Sequence, residues 1–102
     1  MIIVTGSVVA KTGMVDKLME ECLTHTRRSR TEPGCVSHAV HIDAENSDRL
    51  VFLEEWQDMP ALLTHFRVPA SGAFVATVRT MAAAPPAMTI YDAKPVSIGA
   101  QG

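Results

Sequence analysis

The stretch Arg49-Leu50-Val51-Phe52-Leu53-Glu54-Glu55-Trp56-Gln57 limits more than any other what this chain can fold into. Strand alternation places Leu50, Phe52, Glu54 and Trp56 on one face, and Val51 and Leu53 make the opposite face apolar too. A strand that is apolar on both sides needs cover on both sides. With 102 residues there is room for one domain, whose helices can take one face of a sheet. The other face then calls for a second sheet, and the economical source is a second copy of the chain. A homodimer packed through its sheets is the expectation.

The other segments fall into place around that strand. Residues 2–10 carry β-branched side chains on both parities, Ile2, Val4 and Val8 against Ile3, Thr5 and Val9, as in a covered strand. After Thr12-Gly13, apolar residues recur at Val15, Leu18, Met19, Cys22 and Leu23, the spacing of an amphipathic helix over about 13–31. Asp16 in the first turn and Arg27, Arg28 and Arg30 near the end suit the helix dipole. Glu32-Pro33-Gly34 stops the helix and turns the chain. Residues 35–43 alternate again, with Val36, His38, Val40 and Ile42 on one face, and 44–48 form a polar connector to the strand at 49–57. Asp58 caps a second helix, which Val68-Pro69 kinks or restarts before its apolar stripe continues through Phe74, Val75, Val78 and Met81. A last strand spans 87–94. The domain therefore covers 1–94, with residues 95–102 as a tail. The order β-α-β-β-α-β is that of an α+β, ferredoxin-like domain: four antiparallel strands with helices on one face.

Composition removes several classes of function. Nine basic and eleven acidic residues give a net charge of −2, and the basic ones do not gather into a stripe suited to phosphates, so nucleic acid is not an expected partner. The N-terminal segment has neither the basic flank of a signal peptide nor the length of a membrane span, and the chain reads as cytoplasmic. Cys22 and Cys35 are too few for a disulfide framework and read as thiols in a reducing compartment. No Gly-x-Gly-x-x-Gly, P-loop, Gly-x-Ser-x-Gly or Cys-x-x-Cys is present, so no cofactor motif is found and chemistry would run on side chains and substrate.

Among residues able to carry chemistry, Glu54 stands out as a carboxylate between Phe52 and Trp56 on the helix-facing side. His65, on the apolar face of the next helix, is placed to meet it. The pair reads either as acid/base machinery or as an ion pair holding helix to sheet. His38 shares the parity of Val36 and can reach the same space, or simply pack there. His41 has the opposite parity, and His25 falls on the more polar side of the first helix. The four histidines therefore do not converge by spacing, and no metal site is expected. Trp56, Phe52, Phe66 and Phe74 line a space between sheet and helices, as core or as a substrate pocket.

Taken together, Glu32-Pro33-Gly34-Cys35, Leu53-Glu54-Glu55-Trp56-Gln57-Asp58 and Ala61-Leu62-Leu63-Thr64-His65 resemble the E-P-G, E-x-W and A-L-x-x-H motifs of the antibiotic biosynthesis monooxygenase family, over roughly residues 2–92. That resemblance implies a dimeric α+β barrel, in which two sheets pack face to face. It also implies a pocket in each subunit, where quinol-like or polycyclic aromatic substrates are oxygenated by O2 without metal, flavin or haem. Glu54, Trp56 and His65 fall on the motif positions, with His65 and Glu54 as the implied catalytic pair. His38 stands where many relatives have tyrosine, and the segment after His65 departs from the common pattern. The asparagine on strand one and the late helical histidine of haem-degrading relatives are both missing, so haem degradation is not implied. The other readings are a non-catalytic dimeric binding module, or a cofactor-free isomerase or decarboxylase on the same fold.

Overall fold

A computed structural model describes residues 1–99 of the chain. It contains β1 (Ile2–Val9), α1 (Val15–Ser29), β2 (Cys35–Asp43), β3 (Asn46–Trp56), α2 (Met59–Arg67), α3 (Pro69–Met81) and β4 (Ala87–Asp92). The strands form one antiparallel sheet in the order β2-β3-β1-β4, the ferredoxin-like arrangement that the element order implies. Residues 93–98 carry no regular structure, and the end of the expected 95–102 tail lies outside the described residues.

Local chemistry explains most boundaries. The Asp58 side chain accepts a hydrogen bond from the Ala61 backbone N–H at 2.9 Å, capping α2, and Pro60 sits in the first turn where a missing donor costs nothing. At Val68 the backbone is extended (φ −62°, ψ 125°), because the following Pro69 disfavours the helical conformation. Of the expected kink or restart, the restart is what occurs, so three helices cover the sheet. The connector between β2 and β3 is also shorter than expected, with β3 starting at Asn46 instead of residue 49. There Asp43 accepts from the Glu45 backbone N–H at 2.8 Å and pairs with Arg49 at 3.0 Å, drawing the polar residues into the ladder.

At Gly34 both the backbone conformation and the space around it call for glycine. Its φ is +84°, and a Cβ placed on it would lie 2.5 Å from the Ala61 Cβ at the start of α2. The turn after α1 thus presses directly on the helix that carries His65.

The core has two apolar centres. One joins Val8, Leu18, Cys22, Leu50 and Val78 at one end of the sheet; the other joins Ile2, Val4, Trp56 and Leu62 at the other end. Between them runs a band of buried polar side chains, His25, His38, Glu54 and His65. His25 stacks on Phe74, which packs against the first centre, and His65 meets Trp56 of the second.

The other face of the sheet is not covered. Register places Thr5, Leu53, Ala39 and Thr89 in one row across it, with Ile3 and Tyr91 in the next, and Leu53 is 45% exposed. The helices also stop short of β4, which is exposed along its whole length. Met88 and Ile90 lie opposite Gly6 and Val4 on the helix side and yet remain open to solvent.

Candidate functional site

The gap that the helices leave over β1 and β4 is a cavity of about 260 Å³. Its walls are mostly apolar, with Phe52, Phe66, Phe74, Val78 and Met88 prominent, and its polar groups include His25, Glu54 and His65. Phe52 and Phe74 meet edge to face, with ring centres 6.2 Å apart.

The expected contact between Glu54 and His65 is replaced by two separate pairings. His65 Nδ1 lies 2.7 Å from Glu32 Oε1, the glutamate of the Glu-Pro-Gly turn. A carboxylate only accepts, so Nδ1 carries the proton and Nε2 is left free to take one. Glu54 Oε1 instead accepts from the Trp56 indole N–H at 2.9 Å and faces His38 Nε2 at 3.3 Å. The His38 contact falls outside hydrogen-bond geometry, and neither His38 nitrogen has a hydrogen-bond partner among the described residues. Burial by itself would raise the Glu54 pKa. The neighbouring His38 and the Trp56 N–H outweigh it, so the carboxyl sits below its ordinary range.

Two residues expected to touch substrate lie behind the cavity wall. Trp56 is fully buried, its ring 4.6 Å from that of His65, and His38 is 1% exposed. Neither lines the cavity. Both parities were read correctly, but the bulk of Trp56 fills the space beneath His65, and His38 sits behind the imidazoles of α1 and α2. Phe52, Phe66 and Phe74 do line it, as do His65 and Glu54.

His25 was misplaced by the sequence reading and is part of the site. The buried stripe of α1 runs Leu18, Cys22, His25, Thr26 and Ser29, so it passes into polar residues in the second half of the helix. The signal was available, since His25 follows Leu18 by seven and Cys22 by three. Arg28 Nη2 lies 2.6 Å from His25 Nδ1 and 3.3 Å from Ser71 Oγ. A guanidinium only donates, so Nδ1 accepts and the proton of His25 resides on Nε2. The His25 ring is stacked on Phe74 at 3.9 Å and nearly parallel. Burial, then the neighbouring His38, His65 and Arg28, push its pKa down to about 3, against a smaller opposing effect of Glu54. His25 is a neutral imidazole across the physiological range.

The expectation that the histidines do not converge is therefore corrected. His25, His38 and His65 each place a potential ligand atom within 4.8 Å of the other two. Nitrogens sharing a tetrahedral zinc at ~2.0–2.1 Å would stand ~3.3 Å apart. The cluster would have to contract, and Arg28 would have to release His25, before a cation was held. As built, the cluster presents one imidazole ready to accept a proton and one ready to donate a hydrogen bond. Cys22 is fully buried with its thiol pushed up to about 12, and Cys35 is half-buried with its pKa also raised by burial; both are free thiols without activated character.

Comparison with known proteins bears on this arrangement. The family profile described as antibiotic biosynthesis monooxygenase matches residues 1–77. The chain is 30% identical over 90 residues to the uncharacterised Synechocystis protein sll1783, covering 88% of this chain and 61% of that protein, so it spans under two thirds of that relative's length. Among solved structures, one of an antibiotic biosynthesis monooxygenase superposes with a TM-score of 0.85 at 23% identity, over 93% of this chain and 100% of that one. One from Deinococcus radiodurans superposes with a TM-score of 0.90 at 21% identity, over 96% and 98%. No helix among the described residues is long and apolar enough to cross a membrane.

Proposed function

Because the chain belongs to the antibiotic biosynthesis monooxygenase family, we propose that it oxygenates a quinol-like or phenolic aromatic small molecule with O2, without metal or organic cofactor. The observation that carries this reading is the His65 imidazole, held by Glu32 in the tautomer that can accept a proton, at the edge of an aromatic-lined cavity. A cavity of about 260 Å³ suits one or two rings, since an engineered void of roughly 150 Å³ already takes benzene.

In this mechanism His65 Nε2 takes the proton of a substrate hydroxyl, and Glu32 stabilises the imidazolium that results. The phenolate is electron-rich and passes an electron to O2 against the mostly apolar wall of the cavity. Recombination at a ring carbon incorporates one oxygen atom, the other leaves as water, and the substrate supplies all the electrons. Phe52, Phe66 and Phe74 pack on the ring. Glu54, expected as the partner of His65, acts indirectly: it fixes the indole of Trp56 under the His65 ring.

The reading extends to assembly and location. The uncovered sheet face around Leu53 and Tyr91 packs against that of a second copy, giving a homodimeric barrel, and the free thiols Cys22 and Cys35 fit a reducing cytoplasm.

The test is oxygen uptake by chelator-treated protein with a panel of hydroquinones and naphthoquinols, corrected for spontaneous oxidation. Wild-type uptake that falls by roughly 100- to 10,000-fold in a folded His65→Ala variant supports the mechanism. Uptake unchanged in that variant removes His65 as the base. An absence of uptake in the wild type favours a small-molecule binding module, and turnover of a substrate without oxygen favours an isomerase.

A further inference from the structure

We propose that His25 and His65 together form a phenolate-binding site, in which a single substrate oxygen is held between the two imidazoles and receives a hydrogen bond from His25 Nε2–H. The class of ligand rests on the function proposed above; the site itself rests on geometry. Donation from Arg28 to Nδ1 puts the His25 proton on Nε2, and the parallel stack on Phe74 fixes the plane of the ring. Among the described residues no acceptor meets that N–H, and unlike the two nitrogens of His38 it is not sealed inside the protein. It belongs to a residue that lines the cavity, as does His65.

The centres of the His25 and His65 rings lie 5.3 Å apart, and one nitrogen of each lies within 4.8 Å of one on the other. An oxygen ~2.8 Å from each of two nitrogens bridges a gap of that size at an angle of up to ~120°. The two imidazoles have complementary roles at that oxygen. His65 accepts its proton and becomes the imidazolium, and the oxygen, now an anion, keeps a donor in His25, whose own protonation does not change. Arg28 is a positioning residue in this scheme, because without its guanidinium nothing holds the His25 proton on Nε2. This differs from a structural role for His25, which would need its shape and stack but not its N–H.

The experiment uses 4-nitrophenol as the probe, because its ionised form absorbs visible light, with nitrobenzene as a shape control that lacks the oxygen. Both are titrated into wild-type protein, His25→Phe, which keeps a ring against Phe74, and Arg28→Met. Wild type should bind 4-nitrophenol with the visible band of the phenolate. His25→Phe should lose that band and weaken 4-nitrophenol binding by about 10- to 100-fold, as for a hydrogen bond to a charged group, while nitrobenzene binding changes less than about twofold. Arg28→Met should shift the preference between the two probes in the same direction by a smaller factor. The proposal is overturned if wild type fails to bind 4-nitrophenol as the anion, if His25→Phe binds it as wild type does, or if both probes weaken equally. Phenolate binding that depends on His25, in a protein that consumes no oxygen with any quinol, would keep this site and discard the oxygenase reading.

Discussion

In the buried band His25, Glu54 and His65 each meet a partner that assigns donor and acceptor, whereas His38 meets none, and this makes the residue scale testable. Glu32→Gln keeps the shape but replaces a charged acceptor with a neutral amide, so His65 should lose both its fixed tautomer and the stabilisation of its imidazolium. Quinol-dependent turnover should fall at least tenfold with little change in substrate affinity, read as kcat against KM. Glu54→Ala leaves the buried Trp56 N–H without its acceptor and should cost about 1–3 kcal/mol in urea denaturation. His25 gives a pH signature. Its folded pKa of about 3 lies below the ordinary 6.5, so between those values the unfolded chain binds more protons and stability rises with pH. Acidification from pH 6.5 towards 3 should therefore weaken the fold by up to about 1.4 kcal/mol per pH unit from this residue alone, and His25→Phe should flatten that limb. Glu54 adds in the same direction at lower pH. Its depressed pKa gives stability that is present above the carboxylate range and lost as pH falls through it.

At the scale of elements, the site depends on how three pieces of backbone are stopped. The Glu-Pro-Gly turn ends the α1 segment, delivers Glu32 beneath His65, and through Gly34 lets α2 approach closely. Gly34→Ala meets both a left-handed backbone and a Cβ contact of 2.5 Å, and should destabilise by more than about 1–2 kcal/mol in chemical denaturation. An Ala61→Gly second change should relieve the contact but not the backbone conformation, so rescue should be partial. The Asp58 cap orients the start of α2, and Asp58→Ala should cost about 1 kcal/mol. The break at Pro69 turns α3 so that Phe74 comes back against His25, which one continuous helix would not do in the same way.

For the molecule as a whole, the helices and the uncovered face of the sheet divide the work. The helix side holds the buried polar band and the cavity, while the opposite side leaves Leu53 and Tyr91 exposed, with Ile3 half-buried opposite Tyr91. If that face is the dimer interface, Leu53→Glu places a charge at its centre and should yield monomers in sedimentation velocity, with a loss of thermal stability at low protein concentration. A protein that sediments as a monomer before and after the change would remove the dimer from the proposal.

The sequence by itself determined the element order, the sheet it closes and the residues that face the helices, because periods of two and of three to four are properties of strands and helices alone. It also marked His65, Phe52, Phe66 and Phe74 as facing one space. Which partner each polar group would choose was decided by tertiary structure. Glu54 and His65 lie near each other along the chain, yet His65 is satisfied by Glu32, thirty-three residues away, because the Glu-Pro-Gly turn folds back under α2. His25 looks polar-facing because the apolar stripe of α1 fades before it, although its spacing from Leu18 and Cys22 continues the buried stripe; the stack on Phe74 of α3 and the contact with Arg28 of α1 are what tertiary structure adds. Periodicity reports which face a residue is on. Whether that face meets apolar core, a cavity or a hydrogen-bond partner depends on atoms distant in sequence, and the chemistry of this site resides in those contacts.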